Sequence, residues 1–131
     1  LLKLIVKDAM EKKRTILVAE PKPSLCEELS IFSKINDLNM ICVNTPTKTL
    51  QSIQNNVVDV LVLDADLLRE EVDFISVIKG IDENLPIIVC AETNTPELES
   101  KFRHQGIFFY HIKSFGMHDL EMAILNALNK L

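Results

Sequence analysis

The sequence predicts an α/β domain built on a five-stranded parallel sheet. Five short runs rich in Val, Ile and Leu alternate with segments whose apolar residues recur at helical spacing. Most of the runs are continuously apolar rather than alternating, as strands are when both faces are covered. With 131 residues, 47% of them hydrophobic and 25% charged, the chain suits one domain with one substantial core. Parallel neighbours need a covering crossover, so a (βα)5 order implies a three-layer sandwich with helices on both faces.

The opening stretch, "LLKLIVKDAMEKK", carries Leu2, Ile5, Val6 and Ala9 on one helical stripe. It predicts a helix over 1–13, either packed on the domain or acting as a connector from a longer polypeptide. The domain itself is expected over 14–131. Its first strand is Thr15–Ala19, followed by a helix over 24–36 with Leu25, Leu29, Phe32 and Ile35 at helical spacing. Met40–Val43 is the second strand, and Leu50 and Ile53 mark a helix over 47–55. The third strand is Val58–Leu63, with Asp59 near its start and Asp64 at its end. A helix over 70–79 aligns Val72, Ile75 and Ile78, with Gly80 as its C-terminal cap. The fourth strand is Ile87–Ala91, and Thr95-Pro96-Glu97 opens a helix over 95–105 as an N-cap followed by proline. Gly106 closes that helix, Ile107–His111 is the fifth strand, and Leu120, Ala123, Ile124, Ala127 and Leu128 stripe a last helix over 117–130.

Five strands in this length suit the 2-1-3-4-5 order of the flavodoxin-like doubly wound fold. Ligands of such sheets bind beyond the carboxyl ends of the strands, at the switch point between the first and third. Three strands deliver charged residues to that edge: Glu20 after the first, Asp64 after the third and Lys113 after the fifth. Two acids beside an ammonium suit a cation and a phosphoryl group.

Four stretches in order, "TILVAEPKPS", "VVDVLVLDADL", "LPIIVCA" and "GIFFYHIKSF", resemble the landmarks of response-regulator receiver domains. These are the phosphoacceptor modules of two-component signalling, and the match spans residues 14–131. The resemblance implies Asp64 as phosphoacceptor and Lys113 as the ammonium that pairs with phosphoryl oxygens. It places Glu20 and Asp64, with the backbone of Asp66, around a Mg²⁺ ion, and Tyr110 at the aromatic switch position. It also implies a histidine kinase or an adjacent domain of the same polypeptide as partner. The candidate dimer faces are the fourth and fifth helices with strand five, or the amino-terminal helix.

The departures from that pattern bear on activity. Pro21 stands at the second acidic position and offers neither a carboxylate nor an N–H. Ala91 replaces the serine or threonine whose hydroxyl contacts the phosphoryl group and draws the aromatic inward. Ser114 replaces the proline after the lysine, so a cis peptide there would cost about 2.5–4 kcal/mol and the loop is expected to take another path. "DLLREEVD" lacks the usual proline and glycine beyond the acceptor. The expected function is an atypical, receiver-like signalling domain with weak or no phosphorylation and weak Mg²⁺ binding, acting through protein contacts rather than as an enzyme. An active phosphoacceptor at Asp64 stays open as the alternative.

A flavodoxin-like cofactor module is the alternative of another class. The chain has three glycines, none in the turn that directly follows the first strand, and no G-x-G-x-x-G or GxxxxGK[ST] cradle. The net charge of −5, without a basic cluster, argues against direct nucleic-acid binding. No run approaches the ~20 apolar residues of a membrane span, and no signal peptide is visible, so no membrane role is expected. Cys26, Cys42 and Cys90 match no metal spacing and read as reduced, buried thiols of a cytoplasmic protein. His104, His111 and His118 are expected on a helix, a strand and a helix start, sharing no face.

Overall fold

The computed structural model describes residues 13–69, 71–93 and 95–129. The predicted helix over 1–13 therefore lies outside the described residues, apart from Lys13. Five strands, β1 (Thr15–Ala19), β2 (Asn39–Val43), β3 (Val60–Asp64), β4 (Ile87–Ala91) and β5 (Phe109–Ile112), form one parallel sheet in the order β2-β1-β3-β4-β5. The helices are α1 (Ser24–Ile35), α2 (Pro46–Asn55), α3 (Phe74–Ile81), α4 (Pro96–His104) and α5 (His118–Asn129). This is the doubly wound order the alternation predicts.

Strand periodicity divides the core between the two faces of the sheet. Ile16, Val18, Val60, Val62, Ile88 and Cys90 pack with α1 and α5. Leu17, Leu61, Leu63, Val89, Ala91 and Tyr110 face the other way, with Ile53, Ile75, Ile78 and Phe102 of α2, α3 and α4. β1, β3 and β4 are buried along their whole length, which explains their unbroken apolar runs.

Four boundaries differ from expectation for local reasons. β3 starts two residues late, because Asp59 folds its carboxylate back to accept the Thr15 N–H at 2.7 Å. A separate helical turn, Ala65–Leu68, follows β3 and ends on Arg69 in the left-handed region at φ 47°. That delays α3 to Phe74, leaving Val72 buried but ahead of the helix. Gly80 lies inside α3 and does not cap it; Asp82 does, donating its N–H to the Ile78 carbonyl. β5 begins at Phe109, after Gly106 has turned the chain at φ 81°.

The cysteine expectation is corrected. Cys26 of α1 and Cys42 of β2 form a disulfide, their Cα atoms 6.3 Å apart, and Cys90 alone is a free, buried thiol. Apolar neighbours in sequence say nothing about a pairing that only the crossover from β1 through α1 to β2 creates.

Candidate functional site

The carboxyl edge of the sheet opens into a cavity of about 470 Å³ between the amino end of α1 and the β5–α5 connection. Its charged lining includes Glu20, Asp64, Asp66, Glu92 and Lys113.

Asp64 sits where β3 ends, and the pleat turns its side chain inward, so the residue is only 4% exposed. Its Oδ1 accepts the Asp66 N–H at 2.9 Å, which caps the helical turn that follows. Its Oδ2 accepts from Lys113 Nζ at 2.6 Å. Lys113 stands one residue beyond β5, in a 3₁₀ turn over Lys113–Phe115, and also reaches Glu92 Oε1 at 3.4 Å. Burial works against its ammonium, but the hydrogen bond and charge of Asp64, helped by Glu92, outweigh that and raise its pKa above the ordinary lysine value.

Glu92 is a site residue that sequence reasoning missed. β4 and β5 end on the paired residues Ala91 and Ile112, and the next residue of each chain segment is Glu92 and Lys113. Parallel register was the signal that would have found it.

Glu20 is occupied differently from the expectation. Its Oε1 accepts the Leu25 N–H and its Oε2 the Cys26 N–H, both at 2.9 Å, and the residue is 3% exposed. Pro23, the residue before α1, makes no side-chain cap bond. Glu20 thus supplies from the preceding strand what a cap would supply, to two of the four orphan amides at the positive end of the helix.

The charged set also answers whether a Mg²⁺ ion is accommodated. Such an ion takes six oxygens in near-octahedral geometry. Both Glu20 oxygens are held by amides, both Asp64 oxygens are already engaged, and Pro21 contributes no donor side chain. Among the described residues, no three His, Cys, Asp or Glu side chains are placed to hold a metal. These residues fit the ion poorly.

No family model matches the sequence, and no curated protein matches it. Solved structures do match. A CheY-like response regulator receiver domain from Methanospirillum hungatei JF-1 superposes with a TM-score of 0.81 at 15% identity, covering 91% of this chain and 96% of that one. A response regulator receiver domain from Clostridium thermocellum gives 0.77 at 22% identity, covering 89% and 95%. The beryllofluoride-activated NtrC4 receiver domain dimer gives 0.80 at 20% identity, covering 88% and 97%. The fold is that of response-regulator receiver domains.

Within the receiver fold, Asp64, Lys113 and Glu20 meet at one edge, whereas Tyr110 and Ala91 lie on the opposite face of the sheet. Tyr110 is buried, its ring centroid 6.0 Å from that of Phe102, and its hydroxyl finds no partner among the described residues. Burial, with Glu99 nearby, raises its pKa, Arg103 opposing. Ser114 lies in the 3₁₀ turn, and no peptide bond among the described residues is cis. His104, His111 and His118 fall on α4, β5 and α5. Only His111 borders the cavity; it is 2% exposed with Nε2 unpartnered among the described residues. Burial pushes its pKa below the ordinary value, with Asp119 opposing and Lys113 assisting. Burial, then the charge of Asp64, drives the Cys90 thiol far above its usual range.

Proposed function

We propose that this chain is a receiver-like signalling domain of a two-component system whose phosphorylation at Asp64 is weak or absent, and which acts through protein contacts rather than catalysis. The observation that carries this reading is the state of the acidic edge. Glu20, the one acid left in the loop after β1, spends both oxygens on the α1 amides, and Pro21 adds none. Phosphoryl transfer rests on positioning and charge neutralisation, and a poorly held cation weakens both. Any Mg²⁺ bound here would rely on Asp64 and Asp66, and weakly.

The partner under this reading is a histidine kinase or a neighbouring domain of the same polypeptide. The contact face is α4, β5 and α5, or the segment over 1–13 as a connector, and either could join two copies. Among the described residues no helix is long and apolar enough to cross a membrane. The reading places the domain in the cytoplasm, where the Cys26–Cys42 bridge meets a thiol pool.

The intact Asp64–Lys113 pair favours a second reading, an active phosphoacceptor. Incubation with Mg²⁺ and acetyl phosphate, followed by intact mass, decides between them. The expected result is no stoichiometric adduct. A full phosphoryl adduct that disappears in Asp64→Asn would overturn the inactive reading.

A further inference from the structure

The disulfide joins the first turn of α1 to β2, the outermost strand of the sheet. Cys26 is buried at 7% exposure, whereas Cys42 is exposed on β2, with no further strand to cover it. A cleft of about 270 Å³ opens over the pair, and Pro21, Pro23, Asn44 and Lys48 contribute to its walls. The backbone N–H of Cys26 is itself one of the two that clasp Glu20.

We propose that the Cys26–Cys42 bridge is an exchangeable redox site for a small anionic thiol of the glutathione class, and that opening it loosens the Glu20 clasp on α1. Cys42, the exposed residue of the pair, supplies the electrophilic sulfur. A thiolate entering the cleft beside the Lys48 ammonium attacks it, forming a mixed disulfide on Cys42 and expelling the Cys26 thiolate. That leaving group lies in the first turn of α1, where the positive helix end stabilises negative charge. A second thiolate attacks the mixed disulfide at the small molecule's sulfur and releases the Cys42 thiolate next to Lys48. Two thiols are oxidised to one small disulfide, the protein bridge takes up the two electrons, and the two protons pass to the protein thiolates. The reverse sequence needs only the small disulfide as oxidant.

The link to Glu20 is geometric. The Cys26 backbone amide is one of the two that hold the Glu20 carboxylate, and without the bridge the turn that carries it is no longer tied to β2. Besides the bridge, β2 is held by its five-residue register with β1, and α1 by the burial of Leu25, Leu29 and Phe32, so the fold is expected to survive its opening. None of this depends on whether Asp64 accepts a phosphoryl group.

The test equilibrates the folded chain in glutathione buffers of graded redox poise, quenches with maleimide and maps the adducts by mass. Hydrogen exchange is followed at the Leu25 and Cys26 amides in the same samples. The expected oxidised form takes no label at Cys26 or Cys42. In reducing buffer both take label with circular dichroism unchanged, a mixed glutathione adduct appears on Cys42, and the two amides exchange on the order of tenfold faster. Cys42→Ser should show the fast exchange in every buffer. Labelling of both cysteines in oxidising buffer, a bridge that opens only in denaturant, or amide exchange indifferent to poise would each overturn the proposal. So would exchange that still follows glutathione in Cys42→Ser.

Discussion

Replacing Glu20 by Gln tests whether this residue is a helix brace or a metal ligand, because the two roles give opposite signs. In the brace, two buried amides each donate to one carboxylate oxygen at 2.9 Å. Gln keeps one acceptor and turns an NH₂ donor toward the other amide, so a charge-assisted bond is lost and a buried donor is left unsatisfied. Losing such a bond costs about 1.5–3 kcal/mol, and the orphaned donor sets a similar scale. Removing one charge from the group formed with Asp64, Asp66 and Glu92 returns a fraction of that, since those acids border an open cavity. The expected net loss is about 1–3 kcal/mol of unfolding free energy, a fall in Tm of several degrees. Urea titration followed by far-UV circular dichroism measures it, with and without Mg²⁺. A metal ligand in a repulsive acidic cluster would behave oppositely: Glu20→Gln would raise the stability of the metal-free protein and abolish any stabilisation by Mg²⁺. Equal or greater stability of the variant without Mg²⁺ would refute the brace.

Two further outcomes follow from the buried polar groups of β5. His111 resists protonation when folded, so below its ordinary pKa of 6.5 the unfolded chain binds a proton that the folded one refuses, and stability falls as pH drops from there. In His111→Leu the decline between about pH 7.5 and 5.5, read from urea midpoints, should be shallower; an unchanged slope would place the titration elsewhere. Tyr110→Phe removes a buried hydroxyl that has no partner among the described residues, so it should leave stability unchanged or raise it by up to about 1 kcal/mol. A loss above about 1 kcal/mol in thermal melts would mean that the hydroxyl is bonded in solution.

The fold was legible because its strands declare themselves one at a time. β4 is an uninterrupted apolar run and β1 is one after Thr15; both are buried along their whole length, and their bounds match the sequence reading. α3 was started too early because Val72 keeps helical spacing with Ile75 and Ile78 although the helix begins only at Phe74, with no glycine or proline to announce the start. At the site, Asp64 and Lys113 were readable from their positions at strand ends, and they do meet. Glu92 was not, because its role arises from the pairing of β4 with β5, which composition does not carry. Nor could the sequence reveal that Glu20 reaches five and six residues ahead along the chain to clasp α1, or that Cys26 finds Cys42 across a crossover.

The placement of Ala91 sharpens the proposed function beyond the metal. A receiver signals by joining an event at its acceptor to the aromatic on strand five, and the resemblance assigns the join to a hydroxyl at the position of Ala91. Here Asp64 opens toward the cavity between α1 and the β5–α5 connection, while Tyr110 packs on the other face, against Phe102 of α4. Ala91 pairs with Ile112 in the β4–β5 register and lies in the same core cluster as Tyr110. A methyl group offers no hydrogen bond that could favour one rotamer of Tyr110 over another. Tyr110 is nonetheless already buried, and its hydroxyl has no partner among the described residues. A phosphoryl group on Asp64 would therefore find no partner at residue 91 and no outward aromatic to recruit. On this reading the α4–β5–α5 surface is held in one state, and control of its contacts must enter from elsewhere: from the partner, or from the α1–β2 side where the disulfide and the Glu20 clasp meet.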